Sequence, residues 1–245
     1  MLRLARTPFF GRYVEREKVA LEVAKRCGAP APAVYERVDI EGRPGLVMER
    51  LDGRDLLSGM LIRPWELLVI GPVLANLHAT LHEIRAPAEL PNLRADLAER
   101  LRSELVPTEL REAALRALER LPDGDRLYHG DLQPGNVLRR GRRYAVIDWK
   151  NAARGDPAAD VARTRLLLVG AWIPGLGPRP PQLALAPFRL MLYAAYRLAY
   201  ARRRRLRRGA TAAWRPVLAA ARLAEDIPQE RRRLLGVARR GLRGT

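Results

Sequence analysis

The stretch LYHGDLQPGNVL, Leu127 to Leu138, followed by RYAVIDW, Tyr144–Trp149 after Arg143, constrains this chain more than any other feature. A Pro/Gly turn carrying Asp131 and Asn136 runs into one half of a hairpin, and the returning strand AVID delivers Asp148 to its end. The basic turn around Gly141 joins the two halves. Asp131 and Asn136, five positions apart on a Pro/Gly turn, can both face one cavity, and the hairpin brings Asp148 there from the other side. A carboxylate and a carboxamide converging without His or Cys ligands suit a hard, oxygen-preferring ion such as Mg²⁺. A second carboxylate beside them can take the proton of a hydroxyl, as phosphoryl transfer requires. The competing reading is an Asp-rich turn that only caps helices.

Around this motif the periodicity divides the chain unevenly. LRLA at Leu2 reads as a short strand, Arg16–Arg26 as a helix ended by GAPAP, and Ala33–Val38 and Gly45–Leu51 as strands about a turn at Glu41–Gly42. Helices then prevail, over Pro64–Arg85, Leu93–Leu105 and Thr108–Leu121 with Thr108 as N-cap. Further helices cover Pro157–Leu168 after Asp156, Leu185–Arg205, Thr211–Glu225 and a basic C-terminal segment. A small strand-rich part followed by a large helical part predicts an α+β, two-lobed plan, divided at 1–51 and 52–245.

Composition narrows the setting. No run of 18 apolar residues escapes interruption; LALAPFRLMLYAAYRLAY is broken by Pro187, Arg189 and Arg197, so no membrane span is expected. Cys27 is the single cysteine, which rules out an internal disulfide, fits a reducing cytoplasm, and is expected to be a buried, inert thiol. The net charge is +18 over 245 residues, and only Lys18, Lys25 and Lys150 among the cations are lysines. No acidic residue lies between Asp160 and Glu225, a stretch that includes RRRRLRR at Arg202–Arg208. That run reads as a solvated helix face or as a patch for an anionic partner, nucleic acid included. His78 and His82 are four apart in NLHATLHEI, but no third ligand is evident, so a packed helix is the better reading. Tyr193, Tyr196 and Tyr200 read as core or pocket wall, and Trp65, Trp172 and Trp214 as packing anchors.

HGDLQPGNVL…AVIDW resembles the signature of the aminoglycoside phosphotransferase family of kinase-like enzymes, and the resemblance runs from about Leu2 to about Leu168. It implies a protein-kinase-like fold with Asp131 as catalytic base, Asn136 and Asp148 holding Mg²⁺ on the phosphates of ATP, and His129 orienting the turn. Asp160 in GDPAADVAR resembles the family aspartate that bonds the catalytic-loop backbone. Glu17 resembles the helix glutamate that pairs with a strand lysine, a position held here by Arg3. GLVMERLDG resembles the interlobe hinge, where the Glu49 carbonyl and Leu51 N–H would meet adenine above Met48. Against the family pattern the small lobe reads as truncated, without a glycine-rich phosphate loop. The implied activity is transfer of a γ-phosphoryl group to a small-molecule hydroxyl. Polycationic aminoglycosides would fit an Arg-rich acceptor side poorly, which favours a neutral or anionic acceptor. The alternative is a non-catalytic relative that keeps the fold and binds a nucleotide or a partner.

Overall fold

The protein is described by a computed structural model over residues 1–4, 11–62, 64–173 and 184–243. It begins with an antiparallel sheet of β1 (Leu2–Leu4), β2 (Val34–Ile40) and β3 (Arg43–Met48), with β3 in the centre. The turn joining β2 and β3 is Glu41–Gly42, both at positive φ (53° and 72°), the twist a two-residue hairpin requires. Helix α1 (Gly11–Arg26) covers this sheet with Ala20, Leu21, Val23 and Ala24 and stops at Gly28, whose φ of 76° is left-handed. Cys27 lies just past that stop and is exposed, so the expected burial does not hold.

A second sheet joins β4 (Arg54–Asp55) to the hairpin β6 (Val137–Arg140) and β7 (Arg143–Val146), and β5 (Arg126–Tyr128) pairs with β8 (Ala153–Gly155). The helices are α2 (Leu56–Ile62), α3 (Leu67–Glu83), α4 (Leu93–Leu101), α5 (Thr108–Glu119), α6 (Pro157–Gly170), α7 (Ala186–Arg203), α8 (Ala210–Arg222) and α9 (Pro228–Leu242). Together these make the α+β, two-lobed fold expected from the sequence. Two corrections concern local chemistry. Pro107, not Thr108, occupies the N-cap of α5, because its extended backbone (ψ 139°) leaves Thr108 as the first helical residue. Trp65 is 68% exposed and anchors nothing, whereas Trp214 is buried, its indole N–H donating to Asp156 at 2.9 Å. No helix among the described residues is long and apolar enough to cross a membrane.

The large-lobe core is organised around α3, α6 and α7 by a buried polar cluster that includes all three histidines of the chain. Asp160 on α6 lies 2.9 Å from His78 Nε2 and 3.3 Å from His82 Nε2, and the Nδ1 atoms of those rings meet the hydroxyls of Tyr196 and Tyr200 at 2.7 Å each. The sequence reading found no third group for the histidine pair; the fold supplies Asp160. Its carboxylate also accepts the His129 N–H at 2.6 Å and the Gly130 N–H at 3.0 Å, so the histidine pair is built into the buried polar bonding that joins these helices to the turn after residue 128. Burial depresses His82, with help from neighbouring His78, and also His129, each to about 4 from the ordinary 6.5. Unfolded histidines take up protons near pH 6.5, while these two resist protonation until about pH 4. Stability is therefore fully present above pH 6.5 and is lost as pH falls toward 4, by on the order of 3 kcal/mol per histidine. Urea unfolding at pH 7.5 and at pH 4.5 measures this directly; equal midpoints would mean that neither ring is held neutral in the core.

Candidate active site

The site is built on the turn that follows β5. Gly130 has φ 79°, and a Cβ there would sit 2.6 Å from the Tyr128 ring, so both the backbone and the space require glycine. Helix α6 holds this turn with residues spaced i, i+3 and i+4, which share one helix face. Asp160 takes the His129 and Gly130 N–H groups, Arg163 Nε donates to the Gly130 carbonyl at 3.0 Å, and Thr164 donates to the Leu132 carbonyl at 3.1 Å. His129 Nδ1 in turn accepts the Asp131 N–H at 3.1 Å. Most of the turn's backbone polar groups are thus fixed by buried partners. Sequence reasoning missed Arg163 and Thr164, although their spacing from Asp160 was the signal that would have found them.

Asp131 and Asn136 face one another as their spacing implied. Asn136 donates its amide N–H to the Asp131 carboxylate at 2.9 Å and to the Asp131 carbonyl at 2.8 Å. The amide nitrogen is thereby occupied and the Asn136 carboxamide oxygen is left to accept. Asp148 reaches the same place because the Ile147 N–H bonds the Asn136 carbonyl at 3.0 Å at the base of the hairpin. Asp148 itself sits in a left-handed conformation (φ 64°, ψ 64°). Trp149 behind it is fully buried, with its indole N–H on the Val146 carbonyl at 2.8 Å.

Charge is concentrated here. Burial pushes Asp131 up to about 6, against the pull of the Arg163 guanidinium. Burial also acts to raise Asp148, but Lys150 at 2.9 Å and the Arg3 guanidinium outweigh it and hold the carboxyl below the usual range. Arg3 Nη2 is 3.4 Å from Asp148, and its Nη1 forms an ion pair with Glu17. Glu17 is buried, which raises it, and Arg3 draws it back. Arg3, Glu17 and Asp148 therefore meet across the lobes.

The segment after β3, where the sequence resembles an interlobe hinge, holds the remaining sequence-derived residues. Met48 is buried, and its N–H bonds the Met1 carbonyl at 2.9 Å. The Glu49 N–H is taken by the Ala33 carbonyl at 2.8 Å. The Glu49 carbonyl and the Leu51 N–H have no backbone partner among the described residues. On the far side, Arg202, Arg203, Arg205, Arg207 and Arg208 lie exposed at the end of α7 and the turn after it. Residues 174–183, which follow Trp172, lie outside the described residues.

Residues 2–207 match the model of the phosphotransferase enzyme family. A viomycin phosphotransferase from Streptomyces vinaceus is 31% identical over 159 residues, covering 53% of this chain and 55% of that enzyme, so the match spans about half of its length. An aminoglycoside-3'-phosphotransferase of type VIII superposes with a TM-score of 0.63 at 23% identity, over 90% of this chain and 84% of that one. An amicoumacin kinase solved with AMP-PNP gives 0.65 at 14% identity, over 100% and 81%. A choline/ethanolamine kinase family protein from Mesorhizobium loti gives 0.60 at 19%, over 100% and 82%. These three share the fold. With more than three quarters of its sequence inside the family match, the chain belongs to the phosphotransferase enzyme family.

Proposed function

We propose that this chain is an ATP- and Mg²⁺-dependent phosphotransferase that moves the γ-phosphoryl group to a hydroxyl of a small molecule. The observation that carries the reading is the convergence of Asp131, Asn136 and Asp148 on one rigid turn and hairpin, with Asp131 in hydrogen-bond contact with Asn136. In this reading Asp131 accepts the hydroxyl proton. The donor set fits a hard cation: the Asn136 carboxamide and the Asp148 carboxylate, held below its usual pKa range, both offer oxygen. When bound, Mg²⁺ would neutralise charge on the transferred phosphoryl group. Arg3, steadied by Glu17, would contact the phosphates. The Glu49 carbonyl and Leu51 N–H would meet the adenine edge over Met48, and in this reading the lobes divide at 1–51 and 52–245.

The acceptor side favours a neutral or anionic molecule. Two of the first three acidic residues after Asp160 are already committed: Glu225 pairs with Arg163 and with Arg222, and Glu230 is held by Arg222 at 2.7 Å, while Asp226 between them is exposed. Lys150 keeps a part-exposed ammonium beside Asp148. A polycation would find cations where it needs carboxylates.

Calorimetric titration of Mg·ATP into the native chain and into Asp148→Asn is the first test. Binding by the native chain that weakens at least tenfold in the variant is expected from the loss of an ionised metal ligand. Absence of binding by both would favour the non-catalytic alternative. Asp131→Asn should lower kcat by roughly 10²–10⁴-fold while Mg·ATP affinity changes little. Since the base must be ionised, kcat/KM should fall as pH drops through about 6 and stay level above it. An acceptor panel should include the compounds named for the similar proteins, viomycin, hygromycin B and amicoumacin. Cells expressing the chain should gain no protection from kanamycin-type drugs; clear protection would overturn the acceptor assignment.

A further inference from the structure

Arg16 stands beside Glu17 on α1 but points away from the nucleotide side, and its surroundings belong to the other lobe. Its Nε donates to the Ala152 carbonyl at 3.1 Å, and Nη2 donates to the Ala152 and Asn151 carbonyls at 3.0 and 3.3 Å. Its Nη1 forms an ion pair with Asp96 on α4, both side chains being largely buried, at 15% and 12% exposure. A guanidinium with all its faces occupied across a lobe boundary is not a solvated surface charge.

From Asp96 the contacts continue to the catalytic turn. The second Asp96 oxygen accepts from Arg100 Nε at 2.9 Å, and Arg100 also donates to the Asn151 side chain at 3.0 Å. Arg100 lies 3.8 Å from Glu225, which pairs with Arg163, and Arg163 holds the Gly130 carbonyl next to Asp131. Arginine and carboxylate alternate along this path: Arg16, Asp96, Arg100, Glu225, Arg163. No member is left with an unpaired buried charge, which low-dielectric surroundings would make costly.

We propose that the Arg16–Asp96 pair is the latch that fixes the small lobe on the catalytic turn. Arg16 grips the carbonyls of Asn151 and Ala152, immediately after Asp148, while Glu17, one residue on, grips Arg3. The rotation of α1 thus sets the distance from Arg3 to Asp148, so Arg16 is a positioning residue for the nucleotide phosphates. The helix is held in place by the chain itself and needs no added modification. This inference rests on the phosphotransferase reading for its functional consequence, but its structural content stands alone.

The experiment compares hydrogen–deuterium exchange and Mg·ATP titration in the full-length native chain, Arg16→Ala, Arg16→Lys and Asp96→Asn. Arg16→Ala should exchange the α1 amides at least about tenfold faster, while α8 and α9 keep native protection. Its Mg·ATP dissociation constant and KM for ATP should rise about tenfold, with a smaller change in kcat. Arg16→Lys keeps the charge but loses the fork, so it should fall between native and alanine; it decides the matter if the alanine variant does not melt cooperatively. Native α1 protection in both Arg16 variants would overturn the latch. If the native chain binds no nucleotide, the proposed function fails, and the exchange comparison still decides whether Arg16 locks the lobes.

Discussion

Taking a carboxylate out of water costs several kcal/mol unless partners replace the lost hydration, and Asp160 is fully buried. Its compensation comes from two backbone N–H groups of the turn after β5 and two imidazoles, at 2.6 to 3.3 Å. Removing any one partner leaves a buried charge short of a donor, so the turn cannot drift from α6 without a large penalty. Burial opposes the charge on Asp160, and His78 and His82 outweigh it, holding the carboxyl well below its usual range. The result is a rigid platform whose far end presents Asp131, while α7 is tied in through Tyr196 and Tyr200. Core stability and site geometry are thereby one constraint.

What could be read from the sequence follows the range of the interaction responsible. The long helices and the β2–β3 and β6–β7 hairpins announce themselves through local periodicity and turn chemistry, and so does the capped start of α6 at Asp156–Pro157. The three-residue strands β5 and β8 escape, because three residues show no alternation to read. Asp131, Asn136 and Asp148 were legible because a short turn and a hairpin set their distances. The partners of His78 and His82 were not, since Asp160 lies 82 and 78 residues further along the chain. Cys27 was misjudged for a local reason: the same Gly28 that ends α1 leaves its neighbour outside the packed face.

Two groups stand out within the excess of arginine. One is structural: Arg94 donates to the Glu119 carbonyl, Arg126 to Glu83, Arg231 to Leu105 and Arg233 to Leu166. Glu83 and Glu119 close α3 and α5, where unpaired carbonyls and the negative end of the helix dipole favour a cation. A planar fork on a long stem reaches such carbonyls from a neighbouring helix, so the composition does structural duty before any question of partners arises. Another group is the largely exposed run at Arg202–Arg208. A net charge of +18 therefore overstates how much cationic surface is free to meet a ligand.

Asp148 carries a local expense with no return in packing. A non-glycine residue at φ 64° costs about 1–3 kcal/mol and persists only where its surroundings over-determine it. Here they do: the Ile147 N–H is fixed on Asn136, Trp149 is clamped in the core, and Arg16 holds the carbonyls that follow. With an extended backbone, as in the strand before it, the residue would continue β7, whose alternation decides which way each side chain faces. The left-handed turn breaks that alternation and leaves the carboxylate between Arg3 and Lys150. The strain is thus the local cost of aiming one carboxylate, and its position at the meeting of both lobes is the physical reason to look for chemistry there.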